Sequence, residues 1–291
     1  MIINDIHSIP SFHNDMVLIV DSGSTKSEWS ILNRGEAVFQ QELEGISPFF
    51  HSEEEVARAF RQIPSKGVLE IHYYGTGCST GPNRAKIHLA LKKAFPEAQL
   101  VEVDSDIMGA ARGLCQHTPG IAAILGTGSN SCVFDGNSII EQHGGLGYIL
   151  GDEGSGAVLG KMLMQDFLNH KLPAHLEEVL TTQYNVSRDL LLHKVYKESL
   201  PNRYLASFAP VVHHYRQDAY IQKLLARHFG LFFENLASAF SGYTDLPLHL
   251  TGSVAWYFKD EVLEACKAFP FTPGTIMRSP TAGLIRFHHT P

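Results

Sequence analysis

The chain has 291 residues, of which 44% are hydrophobic and 18% charged, the balance of a globular protein with a sizeable core. A net charge of −7 with no run of Lys or Arg argues against a surface built to wrap nucleic acid. The aliphatic runs Met16–Val20 and Ile121–Leu125 are far too short to span a bilayer, and residues 1–15, MIINDIHSIPSFHND, lack the basic and apolar regions of a secretory signal. A cytoplasmic protein without a membrane partner is expected, with residues 1–15 a loose extension.

From there the chain alternates strand and helix signals. Met16–Asp21 reads as a buried strand, apolar and β-branched, that stops at the turn SGSTK. Ser27–Leu32 and Ala37–Leu43 are two more strands, joined through Asn33-Arg34-Gly35, so the three form an antiparallel meander. Gly45–Phe50 (GISPFF) is punctuated as a loop. Ser52, followed by three glutamates, caps a helix that ends near Pro64. Val68–Tyr74 is a strand ending at GTGCSTG. Asn83–Phe95 is a helix, Leu100–Val103 a strand, and a further helix runs from about Asp106 to Leu114.

The second half restarts the pattern. Ile121–Leu125 again is an apolar strand that stops at small residues (GTGSN), and Cys132–Phe134 and Ile139–Glu141 complete a second three-strand start. The glycine-rich segment His143–Gly156 reads as a loop before a helix from about Ser155 to Asn169. His175–Tyr243 is mostly helical, with breaks near Asn185, Pro201 and Gln217 and its last helix from Asp218 to about Phe240. Pro247–Leu250 is a strand ending at Thr251-Gly252-Ser253. Glu261–Ala268 is a helix, Thr275–Met277 a short strand and Thr281–Phe287 a closing helix. The repeated order predicts duplicated α/β domains, 16–115 and 116–291, the second carrying a helical insertion, with a cleft between them.

The chemistry-bearing residues collect where strands end. Glycines in a turn allow a ligand close to the backbone, and the Ser and Thr between them offer donors to an anion. Two such turns, at Gly23–Lys26 and at Gly126–Ser129, would grip a polyphosphate. Asp21, at the end of the first strand, suits a Mg²⁺ ion held through water, or is a turn aspartate. This is not a P-loop, because GxxxxGK[ST] is absent. Asp106, between a strand and a helix, can take the proton of a substrate hydroxyl; Asp104 is the alternative, and either could simply cap the helix. Asp152 could accept paired sugar hydroxyls, or be a first-turn acid with Glu153. Trp29 reads as a core residue, and Phe49-Phe50 as loop packing. The four cysteines lack CxxC spacing and read as reduced thiols; the sixteen histidines form no HExxH motif.

Six segments, VDSGSTKSEW, YGTGCS, VDSDIMGAARG, ILGTGSNS, GGLGYILGDEGSGAVLG and LTGSVA, together resemble the N-acetylglucosamine kinase group of the BadF/BadG/BcrA/BcrD ATPase family, within the actin–hexokinase–heat-shock-ATPase superfamily. The resemblance runs from about Met16 to Phe287. It implies duplicated ribonuclease H-like (actin-like ATPase) domains, each a mixed five-stranded sheet with helices, around a central cleft. It implies ATP and Mg²⁺ as cofactors and transfer of the γ-phosphate to the 6-hydroxyl of an amino sugar. Asp106 would be the base. Gly23, Ser24, Thr25 and Lys26, with Gly126, Thr127, Gly128 and Ser129, would meet the phosphates, and Gly252 and Ser253 adenosine. Asn130, Gly145 and Asp152 would contact the sugar. Ser47 stands where the group commonly carries Asn. A homodimer is compatible with the resemblance.

Within the kinase reading glucosamine, glucose and N-acetylmuramic acid are alternative sugars, and two alternatives outside it stay open. The activator branch of the family carries an iron–sulfur cluster and needs a cysteine before the second glycine turn, where ILGTGSN has none. A sugar or peptidoglycan-fragment sensor would bind without turnover, although it has no need to keep both Asp21 and Asp106.

Overall fold

The computed structural model describes residues 16–48 and 51–289; residues 1–15 and the pair Phe49-Phe50 lie outside them. Two compact units divide at Asp106 and Ile107.

The first unit is built on a five-stranded sheet of order β3-β2-β1-β4-β5. Its strands are β1 (Met16–Ser22), β2 (Lys26–Asn33), β3 (Glu36–Glu44), β4 (Val68–Gly75) and β5 (Leu100–Ser105). β1 pairs antiparallel with β2 and parallel with β4, and β4 parallel with β5. The central strand is mostly buried, as its apolar run requires, whereas β3 is an edge strand rich in Glu and Gln and mostly exposed. Helices α1 (Glu53–Phe60) and α2 (Gly81–Ala94) make the crossovers. The α1 start is a capping box: the Ser52 hydroxyl accepts from the Glu55 N–H (3.3 Å) while Glu55 accepts from the Ser52 N–H (2.7 Å). Trp29 is a core residue, its ring centroid 5.0 Å from Phe60 and 6.3 Å from Tyr73, and its indole N–H bonds the Ser27 hydroxyl.

The second unit repeats the design. Its sheet has the order β10-β9-β6-β7-β8, formed by β6 (Gly120–Leu125), β7 (Ser129–Phe134), β8 (Ile139–Gly144), β9 (Pro247–Thr251) and β10 (Thr272–Met277). β6 pairs antiparallel with β7 and parallel with β9. Read from its own edge, this is the order and direction of the first sheet.

Between β5 and β6 lies α3 (Asp106–Cys115). The sequence boundary at 115/116 leaves α3 with the first domain; in the structure its body packs in the second unit. Ile107, Ala110, Ala111 and Leu114 share a core with Ala122, Cys132 and Phe134. A Cβ on Gly283, in α13 (Thr281–His289), would lie 2.6 Å from the Gly113 carbonyl carbon, so glycines permit a close α3–α13 crossing.

Between β8 and β9 stand α4 (Gly147–Leu150), α5 (Gly156–Leu168), α6 (Ala174–Thr182), α7 (Arg188–Tyr196), α8 (Pro201–Ala206), α9 (Ala209–His214) and α10 (Ala219–Ala239). The long α10 buries Ile221, Leu224, Leu225, Phe229, Phe232, Phe233 and Leu236 at helical spacing. After β9 come α11 (Ser253–Tyr257) and α12 (Lys259–Cys266).

Three local differences from the sequence reading have physical reasons. The glycine-rich loop contains the short α4, whose residues are not buried. α11 starts at the Thr251-Gly252-Ser253 turn, where Gly252 (φ 109°) turns the chain. β10 starts at Thr272, before the apolar residues that marked it, because main-chain pairing with β9 carries it. Among the described residues the four cysteines are free and buried, and no helix is long and apolar enough to cross a membrane.

Candidate active site

In the first unit the predicted residues gather at the carboxyl ends of the parallel strands, where Ser22, Gly75 and Ser105 lie side by side. The β1–β2 hairpin turns at Gly23, Ser24 and Thr25, closed by the Gly23 N–H donating to the Lys26 carbonyl (2.9 Å). The loop carrying Ser47 is seated on this hairpin. The Gly45 N–H donates to the Thr25 carbonyl (2.9 Å), and a Cβ on Gly45 would lie 2.7 Å from the Lys26 nitrogen. Ser47 is buried, and the Lys86 ammonium bonds the next carbonyl, that of Pro48 (2.8 Å).

Asp21 is half-buried at the end of β1. Burial, then the charges of Glu28 and Asp106, push its carboxyl up to about 7. Lys26 opposes this only in part. Its ammonium is ion-paired to Glu28 (3.0 Å) and Glu42 (2.9 Å). Burial acts to lower its pKa, but those hydrogen bonds outweigh burial and leave it raised. Asp106 opens α3 and acts on Asp21 and on the Cys78 thiol, which burial first and Asp106 second push up to about 12. Asp104 is differently engaged. Its carboxylate accepts from the Ser105 N–H (2.8 Å) and pairs with the Arg84 guanidinium (3.3 Å), whose Nε–H bonds the Cys78 carbonyl (2.7 Å).

The second unit assembles its own cluster. The β6–β7 turn rests on the start of α5: the Gly156 N–H donates to the Gly126 carbonyl (2.8 Å) and the Ala157 N–H to the Thr127 carbonyl (3.1 Å). Asp152, buried with φ 61°, lies against this turn, and a Cβ on Gly128 would lie 2.8 Å from its carboxylate. Burial raises its pKa, against backbone N–H bonds from Gly147 and Ser129. The Ser129 hydroxyl bonds the Glu153 carbonyl (2.8 Å). The Asn130 carboxamide oxygen accepts from the Ser131 N–H (3.0 Å) and the Gln142 amide (3.1 Å). A Cβ on Gly145 would lie 3.3 Å from the Asn130 amide nitrogen, a tight contact, and the positive φ of 67° there favours glycine. A pocket of about 180 Å³ opens here, lined by residues that include Asn130, Asp152, Glu153, Leu146, Phe232 and Leu236. The Gly252–Ser253 turn adjoins the phosphate-type turn: a Cβ on Gly252 would lie 2.7 Å from the Leu125 carbonyl carbon and 3.2 Å from the Gly126 nitrogen.

Sequence reasoning missed the supporting residues Glu28, Glu42, Arg84 and Gly45. Only Gly45, a glycine directly after a strand, carried a signal; the others depend on strand register and on the approach of α2.

Among solved structures, the chain is similar to the "putative N-acetylglucosamine kinase" of Porphyromonas gingivalis, at 36% identity, with 94% of this chain and 98% of that chain covered and a TM-score of 0.89. The protein of the same description from Chromobacterium violaceum is 18% identical, covering 94% and 98%, with a TM-score of 0.71. A ROK family glucokinase from Streptomyces griseus, in complex with glucose and AMPPNP, is 16% identical, covering 94% and 97%, with a TM-score of 0.59. The last two bear on the fold alone, which is the duplicated actin-like ATPase fold expected from the sequence. No protein-family model and no curated protein matches the chain.

Proposed function

The chain belongs to the N-acetylglucosamine kinase group, and we propose that it is an ATP-dependent kinase transferring the γ-phosphate to the 6-hydroxyl of an N-acyl amino sugar, with N-acetylglucosamine the first candidate. The observation that carries the chemistry is the pair of acids in the first unit, Asp21 and Asp106, at the carboxyl ends of β1 and β5.

Asp106 is the general base. Its carboxylate takes the hydroxyl proton as the sugar oxygen bonds to the γ-phosphorus and the bond to the β-phosphate oxygen breaks, releasing ADP. Asp104, the other candidate, is engaged by Arg84 and the Ser105 N–H, and of the two Asp106 is the acid that acts on Asp21. The main chain of each glycine turn offers N–H groups of the kind that bind and orient phosphates. Asp21 fits magnesium: it is an oxygen donor whose charge is disfavoured by burial and by two neighbouring acids, with its nearby lysine already paired. Magnesium in such a site would be carried mainly by phosphates and water, with Asp21 as the protein's oxygen donor. When bound, magnesium supplies neutralising charge on the phosphates.

Asn130 and Asp152 would bind sugar hydroxyls, and the apolar side chains of Leu146, Phe232 and Leu236 in the same lining suit an N-acyl methyl. Ser47 offers the sugar a shorter donor than the group's usual Asn. The test is ADP release from Mg-ATP with N-acetylglucosamine, glucosamine, glucose and N-acetylmuramic acid. Release with an N-acyl sugar and not with glucose is expected. ATP binding without release for any sugar would overturn the assignment in favour of a sensor.

A further inference from the structure

The chain has two tryptophans. Trp29 is 1% exposed in a core, whereas Trp256 is 43% exposed in the second unit. Trp256 stands on α11, the five-residue helix that starts at the Gly252 turn. Val254 and Ala255 bury one side of that helix, and Ser253, Trp256 and Tyr257 are exposed on the other. Residues i, i+3 and i+4 of a helix share a face, so both rings stand on the face of the turn serine. Tyr257 packs edge-on against His213 (centroids 5.8 Å apart), which occupies part of its surface. An exposed indole beside glycine turns that a nucleotide would contact presents a flat apolar surface for a base.

The backbone makes this placement firm. The Trp256 N–H donates to the Gly252 carbonyl (3.0 Å), and the Gly252 turn lies against the Leu125–Gly126 backbone of the phosphate-type turn. α11 therefore begins directly beside the turn at which the kinase reading puts the phosphates.

We infer that Trp256 is the platform on which the adenine of ATP stacks. The assignment rests on the kinase reading and adds to it the residue that recognises the base. Stacking is indifferent to the phosphates and the sugar substrate, so its loss is read in nucleotide affinity alone.

The test uses the intact protein and the tryptophan itself as reporter. Titration with Mg-AMPPNP is expected to shift and quench the emission of the exposed indole, and Trp256→Phe to abolish that response. Trp256→Phe, which keeps a ring, is expected to hold the KM for ATP within about threefold of wild type. Trp256→Ala should raise that KM at least about fivefold, with the sugar KM unchanged. Emission that stays unmoved at nucleotide concentrations saturating ADP release, or a Trp256→Ala KM for ATP within about twofold of wild type, would overturn the assignment while leaving the kinase reading intact. A wild-type protein that neither binds nucleotide by calorimetry nor releases ADP would bring down both.

Discussion

Asp104 and Asp106 are separated by one residue and are equivalent as sequence, but their neighbours distinguish them. Arg84 and the Ser105 N–H hold Asp104, whereas Asp106 opens α3 and acts on Asp21. Asp106→Asn is therefore expected to lower kcat by at least about a hundredfold with sugar affinity retained, the usual scale for a general base. Asp104→Asn, which loses a half-exposed ion pair, should change kcat by less than about fivefold. Paired kcat and sugar-binding measurements check both, and equal losses of binding and turnover in Asp106→Asn would make it a folding residue. Asp21 predicts a pH dependence. Its folded pKa of about 7 lies above its ordinary 3.8, so the folded chain keeps a proton that the unfolded chain gives up. Between those values rising pH removes stability, and the loss is complete above about 7. Asp21→Asn should accordingly have a higher Tm than wild type at pH 8, with the gap closing towards pH 4, and no turnover. Parallel Tm curves across that range would show that Asp21 does not carry the titration.

At the level of elements, glycines and main-chain bonds hold the binding loops in place. Gly45 joins the Ser47 loop to the β1–β2 hairpin through a contact with no room for a methyl group, because the atoms it would meet are backbone. Gly45→Ala is expected to cost about 1–3 kcal/mol, the range for overpacking a tight site, read from the urea midpoint. It should also raise the KM for sugar, because the hairpin and the Ser47 loop would shift together. An unchanged midpoint would mean that the loop relaxes freely. Motifs of this kind are only partly legible beforehand. SGSTK and GTGSN announce turns because glycine after an apolar run has few other uses, but which glycine touches which backbone depends on packing.

On the scale of the whole molecule, each unit has a sheet with the same strand order and directions, and a core of its own: Trp29, Phe60 and Tyr73 in the first, and the α5 and α10 apolar faces with β6 and β9 in the second. Separate cores favour separate unfolding. Scanning calorimetry should give a calorimetric enthalpy above the van't Hoff enthalpy, and AMPPNP should raise the transition of the second unit, which carries Gly126–Ser129, Gly252 and Trp256. A ratio of one would mean that the units unfold as a single cooperative body.

The sequence by itself determined the order of elements, the duplication and the positions of the glycine turns, because hydrophobic period and turn chemistry are local properties of the chain. Met16–Asp21 and Ile121–Leu125 announce central strands, and Ser52 with Glu55 announces a helix start, without reference to anything distant. The tertiary structure alone decided what depends on distant neighbours. α3 packs in the second unit because Ile107 and Ala110 find their apolar partners on β6 and β7. Lys26 is bound by Glu28 and Glu42 because strand register brings them alongside. Asp104 is bound by Arg84, twenty residues before it, because the fold brings α2 to the end of β5. Electrostatics and burial are sums over neighbours in space, and a linear sequence does not state who those neighbours are.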